Sequence, residues 1–158
     1  MPRDKTCSCQ GGVDYVSIAV IFMCHDGQGN FVLAQRGAKA RNETGTWDIG
    51  GGALELGEDA EQTLRREIKE EYCTEVLELE FLGYRDVHYD HEGPPTKHWL
   101  ALDFCVHVEP TQVAIGEPHK LSDIGWFTFD SLPEPLYSRL PSFFQLHEEK
   151  IFRIINSR

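Results

Sequence analysis

The chain has 158 residues, with 15 Lys and Arg against 26 Asp and Glu, a net charge of −11 and 41 % hydrophobic residues. That length suits one domain, and the composition excludes an intrinsically disordered chain. An acidic chain with no Lys/Arg block makes a poor wrapper of nucleic acid and a poor ligand of anionic membranes; it can handle a polyanionic substrate if metal ions supply the positive charge. Neither nucleic acid nor a membrane is therefore an expected partner, while a small-molecule substrate and a homodimer stay open.

Residues 1–13 read as a flexible polar tail, and 14–158 as the single domain. Met1-Pro2-Arg3-Asp4-Lys5 lacks the apolar core of a signal peptide. Cys7-Ser8-Cys9 has no second pair at ligand spacing. With Cys24, Cys73 and Cys105 the cysteines number five, an odd count that reads as reduced thiols in a cytoplasmic protein. Val16 to Met23, β-branched and aromatic, predicts a buried strand. The apolar stretch it belongs to ends at Cys24, far short of the ~20 residues that span a bilayer. His25 to Asn30 is turn chemistry, and Phe31 to Arg36 completes a hairpin. A polar loop to Gly45 leads to a short strand, Thr46 to Ile49, and then to the loop glycines Gly50-Gly51-Gly52. Glu58 to Tyr72 is rich in helix formers, with no Gly or Pro inside. Val76 to Tyr89 and Lys97 to Glu109 read as long strands around a turn that holds Gly93-Pro94-Pro95. Ile115 to Leu121 is a loop, Ile124 to Phe129 a short strand, and Ser142 to Ile155 the last helix. This order is α+β with a mixed sheet, and it excludes a doubly wound fold, whose strands and helices alternate regularly.

The first helix carries the chemistry. Glu67, Glu70 and Glu71 stand at i, i+3 and i+4, on one face. Ala60, Leu64 and Ile68 form an apolar stripe beside them, so the helix packs by the stripe and holds three carboxylates at its edge. Like charges so placed destabilise a helix slightly, a penalty that a bound cation reverses. Oxygen ligands suit Mg²⁺ or Mn²⁺ better than zinc. The glycines ahead let backbone pass close to a ligand. A solvated acidic face is the competing reading of the three carboxylates alone. The histidines around the 90–96 turn, His88, His91 and His98, lack metal-ligand spacing and read as solvated.

The segment from Gly52 to Glu71 resembles the signature of the Nudix hydrolases, MutT-like: Gly52, five residues, Glu58, seven residues, Arg66-Glu67-Ile68, one residue, Glu70-Glu71. Phe31 to Arg36, Trp47 to Gly52, and Trp126-Phe127 followed by Asp130 to Pro133 are similar to the family's flanking strands and late turn. The family has Gly where this chain has Cys73, and Pro where it has Gly50. That Gly ends the helix in a left-handed cap, which costs other residues ~1–2 kcal/mol, so a different helix end or an inward Cys73 is expected.

The resemblance implies a mixed sheet between helices, an α/β/α sandwich, and hydrolysis of a nucleoside diphosphate linked to another group. It implies Mg²⁺, with Mn²⁺ able to substitute, held by Glu67, Glu70, Glu71 and the Gly51 carbonyl, with Glu117 of Glu117-Pro118-His119-Lys120 as a distal acid. One glutamate acts as general base, Glu67 first among them. Glu58 and Arg66 are expected to brace the loop–helix junction as an ion pair. Arg36 and Gly50, Gly51 and Gly52 are the substrate-binding candidates. Compact length and the Glu117 loop favour a nucleoside triphosphate. ADP-ribose or a sugar nucleotide, a dinucleoside polyphosphate, and a non-catalytic nucleotide sensor are the alternatives. No motif resembles the family's NADH-specific or coenzyme-A-specific signatures.

Overall fold

The computed structural model describes residues 8–89 and 96–157. Cys7, His91 and the glycine-proline turn at 93–95 lie outside the described residues. The elements run β1 (Ser17–His25), β2 (Phe31–Arg36), β3 (Trp47–Asp48), β4 (Gly50–Ala53), α1 (Ala60–Tyr72), β5 (Val76–Tyr89), β6 (Lys97–Val108), β7 (Leu121–Phe127) and α2 (Leu140–Ile155). The sheet order is β3-β2-β1-β6-β5, with β4 also on β1 and β7 also on β2. β1 and β6 are parallel while β5 and β6 are antiparallel, so the sheet is mixed.

Both faces of the sheet are covered, which is why β1 is a nearly continuous apolar run rather than an alternating one. On one face Val20, Phe22 and Cys24 pack with Leu64, Ile68 and Tyr72 of α1. On the other, Met23, Phe31 and Cys105 pack with Phe143, Phe144 and Ile151 of α2. Successive strand residues point to opposite faces, so one strand serves two cores. The result is an α+β fold with the sheet between two helices. Among the described residues no helix is long and apolar enough to cross a membrane.

A buried ion cluster fixes α2 to the sheet. Asp103 on β6 is fully buried and accepts from Arg85 Nη2 on β5 at 2.8 Å, and its other oxygen lies 2.7 Å from His147 Nε2 on α2. A buried carboxylate is tolerable only with such partners.

Three expectations change. Gly50-Gly51-Gly52 is strand, not loop, paired antiparallel with Ile21 and its neighbours on β1. Residues 10–15, partly assigned to the tail, form a turn in which Gly12 N donates to Tyr15 O at 2.7 Å and Gly12 O accepts from His98 N at 2.7 Å. Cys73 keeps the left-handed helix end, at φ 59°, although it is not glycine.

Candidate active site

The first turn of α1 is anchored before its carboxylates appear. Asp59 N donates to Gln62 Oε1 at 2.8 Å, and Thr63 Oγ1 donates to Glu58 Oε2 at 2.7 Å. Arg66 then forks onto Glu58, with Nε to Oε1 at 2.9 Å and Nη2 to Oε2 at 3.0 Å. Such bidentate pairs fix geometry as well as charge. The hydrogen bonds from Arg66 and Thr63 lower the Glu58 carboxyl from 4.5 to about 2. The remaining Arg66 nitrogen reaches Glu67 Oε1 at 2.9 Å and Glu70 Oε2 at 3.4 Å. The loop–helix junction and the first two carboxylates are thus tied through one guanidinium.

β4 lies close under this helix because it is glycine. A Cβ at Gly52 would fall 2.2 Å from Glu67 Cδ, and one at Gly50 would fall 2.1 Å from the Phe22 ring and 2.9 Å from Glu71 Oε2. A Cβ at Gly51 would meet Ile21 Cδ1 at 2.8 Å. What these positions require is close approach, not positive φ.

The loop after β6 closes the cluster from the other side. Ala114 N donates to Tyr72 O at 3.0 Å, and Gly116 N donates to Glu71 O at 2.8 Å. These bonds satisfy carbonyls that the end of α1 would otherwise leave open. A Cβ at Gly116 would overlap Glu70 O at 1.9 Å, so only glycine lets the loop approach. The clamp brings Glu117 to Glu71. Burial and then the charges of Glu67 and Glu117 push the Glu71 carboxyl well up. Burial raises Glu67 too, against the pull of Arg66. Glu117 Oε2 accepts from Lys120 Nζ at 2.9 Å, while its Oε1 is buried with no hydrogen-bond partner.

Glu67 and Glu71 thus lie over Gly52 and Gly50 of β4, the Gly116 clamp brings the Glu117 loop to the end of the same helix, and Glu70 stands on the helix edge, half exposed. Among the described residues no three His, Cys, Asp or Glu side chains already stand as a formed metal cage; Arg66 and Lys120 lie among the carboxylates instead. The donor set nonetheless fits a hard divalent cation: all donors are oxygens, like charges crowd, and one buried oxygen is unsatisfied.

Arg36 sits at the margin of this site. It donates to Asn42 O at 2.9 Å and Asn42 Oδ1 at 2.8 Å, pairs with Asp48 Oδ2 at 3.5 Å, and lies 4.8 Å over the Tyr137 ring. The sequence reading did not single out Asp48 or Lys120. Asp48 pairs with Ala34, on the α1 side of the sheet, and its charge acts on Glu71; the two-residue period of β3 was the available signal. Lys120 was visible only as part of the Glu117 loop. Trp47 packs with the α2-side core, edge-on to Phe127 with centroids 5.2 Å apart. His98 bonds Asp86 at 2.8 Å and its ring lies 4.3 Å from that of His88.

Residues 15–147 match the NUDIX domain family. The NAD-capped RNA hydrolase NudC of Pseudomonas aeruginosa (strain LESB58) is 30 % identical over 106 residues, 67 % of this chain and 34 % of that protein. Its counterpart in Pectobacterium carotovorum is 28 % identical over 94 residues, 60 % of this chain and 33 % of that protein. The chain thus spans about a third of the length of these relatives. A MutT NUDIX hydrolase from Burkholderia pseudomallei superimposes with a TM-score of 0.70 at 26 % identity, over 82 % of this chain and 96 % of that one. A MutT protein from Methanosarcina mazei Go1, at 21 % identity and a TM-score of 0.69 over 85 % of this chain and 94 % of that one, shares the fold. With the signature helix, the glycine strand beneath it and a family match over most of its length, this chain belongs to the NUDIX family.

Proposed function

We propose that residues 14–158 form one Nudix hydrolase domain that cleaves the phosphoanhydride of a nucleoside diphosphate linked to another group. The observation that carries this reading is the buried, unpaired Glu117 oxygen, on a loop that Gly116 N ties to Glu71 O at 2.8 Å at the end of the carboxylate helix. Glu67, Glu70, Glu71, Glu117 and the Gly51 carbonyl would hold Mg²⁺, for which Mn²⁺ can substitute. When bound, such ions neutralise phosphate oxygens and acidify water.

The chain's own residues divide the remaining work. Glu67 accepts the proton of the attacking water; its raised pKa suits a general base better than an ordinary carboxylate. The water oxygen bonds to phosphorus, the bridging P–O bond breaks, and two phosphate-bearing products leave. Arg66 and Glu58 hold Glu67 in place through their fork. Gly50, Gly51 and Gly52 keep β4 free of side chains beneath the reacting diphosphate. Arg36 is the candidate phosphate contact on β2 and would reach it by leaving Asn42 and Asp48.

The leading substrate is a nucleoside triphosphate, cleaved to a monophosphate and pyrophosphate. A second reading, a nicotinamide dinucleotide, is favoured by the relatives named NAD-capped RNA hydrolase. The net charge of −11 favours small nucleotides over a long RNA. A panel of nucleoside triphosphates, ADP-ribose, NAD⁺ and dinucleoside polyphosphates with Mg²⁺, read by product chromatography, tests both. Triphosphate turnover to pyrophosphate supports the first and dinucleotide cleavage to two monophosphates the second. No turnover of any member contradicts the enzyme and leaves a nucleotide-binding domain.

A further inference from the structure

Two cations lie in the carboxylate cluster, and they are held very differently. Arg66 is tied to Glu58 by two bonds and to Glu67 by a third, with 28 % of its side chain exposed. Lys120 Nζ donates to Glu117 Oε2 at 2.9 Å with half of its side chain exposed, and His119 Nε2 stands farther off, 3.7 Å from the same oxygen. Its backbone is fixed: Lys120 O accepts from Gly37 N at 2.6 Å, and Lys120 N donates to Glu117 O at 2.9 Å. The root of the side chain is therefore anchored while the ammonium can swivel. Its charge acts on Glu71 and Glu67 as well as on Glu117. By holding one oxygen of Glu117 it leaves the other buried and unpaired.

We infer that Lys120 is the resident counter-ion of the Glu67–Glu71–Glu117 cluster, and that it sets the affinity of that site for a divalent cation by competing for Glu117. This rests on the metal-binding reading above and adds to it a residue that weakens binding rather than providing it. A cation arriving at Glu117 must displace the ammonium, which moves out to solvent while Arg66 stays in place. The ion pair lost on that displacement, and the repulsion between a divalent ion and an ammonium whose root stays anchored nearby, both oppose binding at any effective dielectric between water and protein. Removing the ammonium therefore tightens the site.

The test is Mn²⁺ binding to the metal-free full chain without substrate, followed by the loss of the free-ion electron paramagnetic resonance signal. Lys120→Met is expected to bind Mn²⁺ at least about tenfold more tightly than wild type, as expected from removing one nearby unit charge. Lys120→Arg, which keeps the charge, should stay within about twofold of wild type on the same reasoning. A merely structural defect would weaken binding, not tighten it. Should Lys120→Met fail to fold by circular dichroism, Lys120→Gln replaces it, with the same expectation. Unchanged or weaker Mn²⁺ binding by the folded neutral variant overturns the inference while leaving the metal site intact. Absence of Mn²⁺ binding by wild type overturns the metal reading, and the counter-ion role with it.

Discussion

Asp48 shows how a single carboxylate can oppose folding near a site of like charge. Burial, with a smaller push from Glu43, raises it from 3.8 to about 7 against the pull of Arg36. A raised acid favours the protonated folded state, so its stabilising contribution is complete below pH 3.8 and is lost as pH rises toward about 7. That rise corresponds to roughly 4 kcal/mol. Asp48→Asn, which cannot ionise, should lose less stability than wild type between pH 4 and 7 in urea denaturation of the metal-free protein. Parallel pH profiles would show that Asp48 titrates normally. Glu67 and Glu117 differ in another way. Glu67 sits on a helix and is held by Arg66, whereas Glu117 sits on a loop. Glu67→Gln should lower kcat by ~10²–10⁴-fold, the range for a lost general base. Glu117→Gln should be at least ~10-fold milder in kcat, or ~1.4 kcal/mol of barrier. The reverse order in steady-state kinetics would move the base role to the loop.

At the scale of elements, the junction of α1 with the 113–120 loop holds the cluster together. Cys73 adopts φ 59° at the helix end, a conformation that glycine takes freely. Cys73→Gly should stabilise the protein by about 1 kcal/mol, measured by urea unfolding. Destabilisation instead would mean that the thiol, packed near Gly116, contributes more than the backbone strain costs. The carboxylate helix was legible in sequence, because the 3.6-residue period alone puts Glu67, Glu70 and Glu71 on one face. The glycine run was legible as a place of close approach but not as a strand. Composition carries no trace of β1 lying alongside to pair with it. The clamp at Gly116 was not legible at all, since it depends on one backbone meeting another 46 positions earlier, at Glu70.

The whole molecule is an acidic chain with an apolar core on each face of one mixed sheet, the carboxylate cluster lying on the α1 side and the Arg85–Asp103–His147 cluster on the other. That β1 is buried was readable from its nearly continuous apolar run, but not which helix covers each face. The ion cluster was not, because its members are far apart in sequence and share no period. On the reading proposed above, the α1 carboxylates carry a divalent-cation-dependent hydrolysis. The most direct measurement is product release from a cleaved nucleotide by wild type and Glu70→Gln, each with Mg²⁺ and with excess chelator. Glu70 is half exposed, so the substitution should leave the fold, checked by circular dichroism, intact. Wild type should turn over with Mg²⁺ and not in chelator, and folded Glu70→Gln should be slower by orders of magnitude. Full turnover in chelator, or a Glu70→Gln rate equal to wild type, would contradict it.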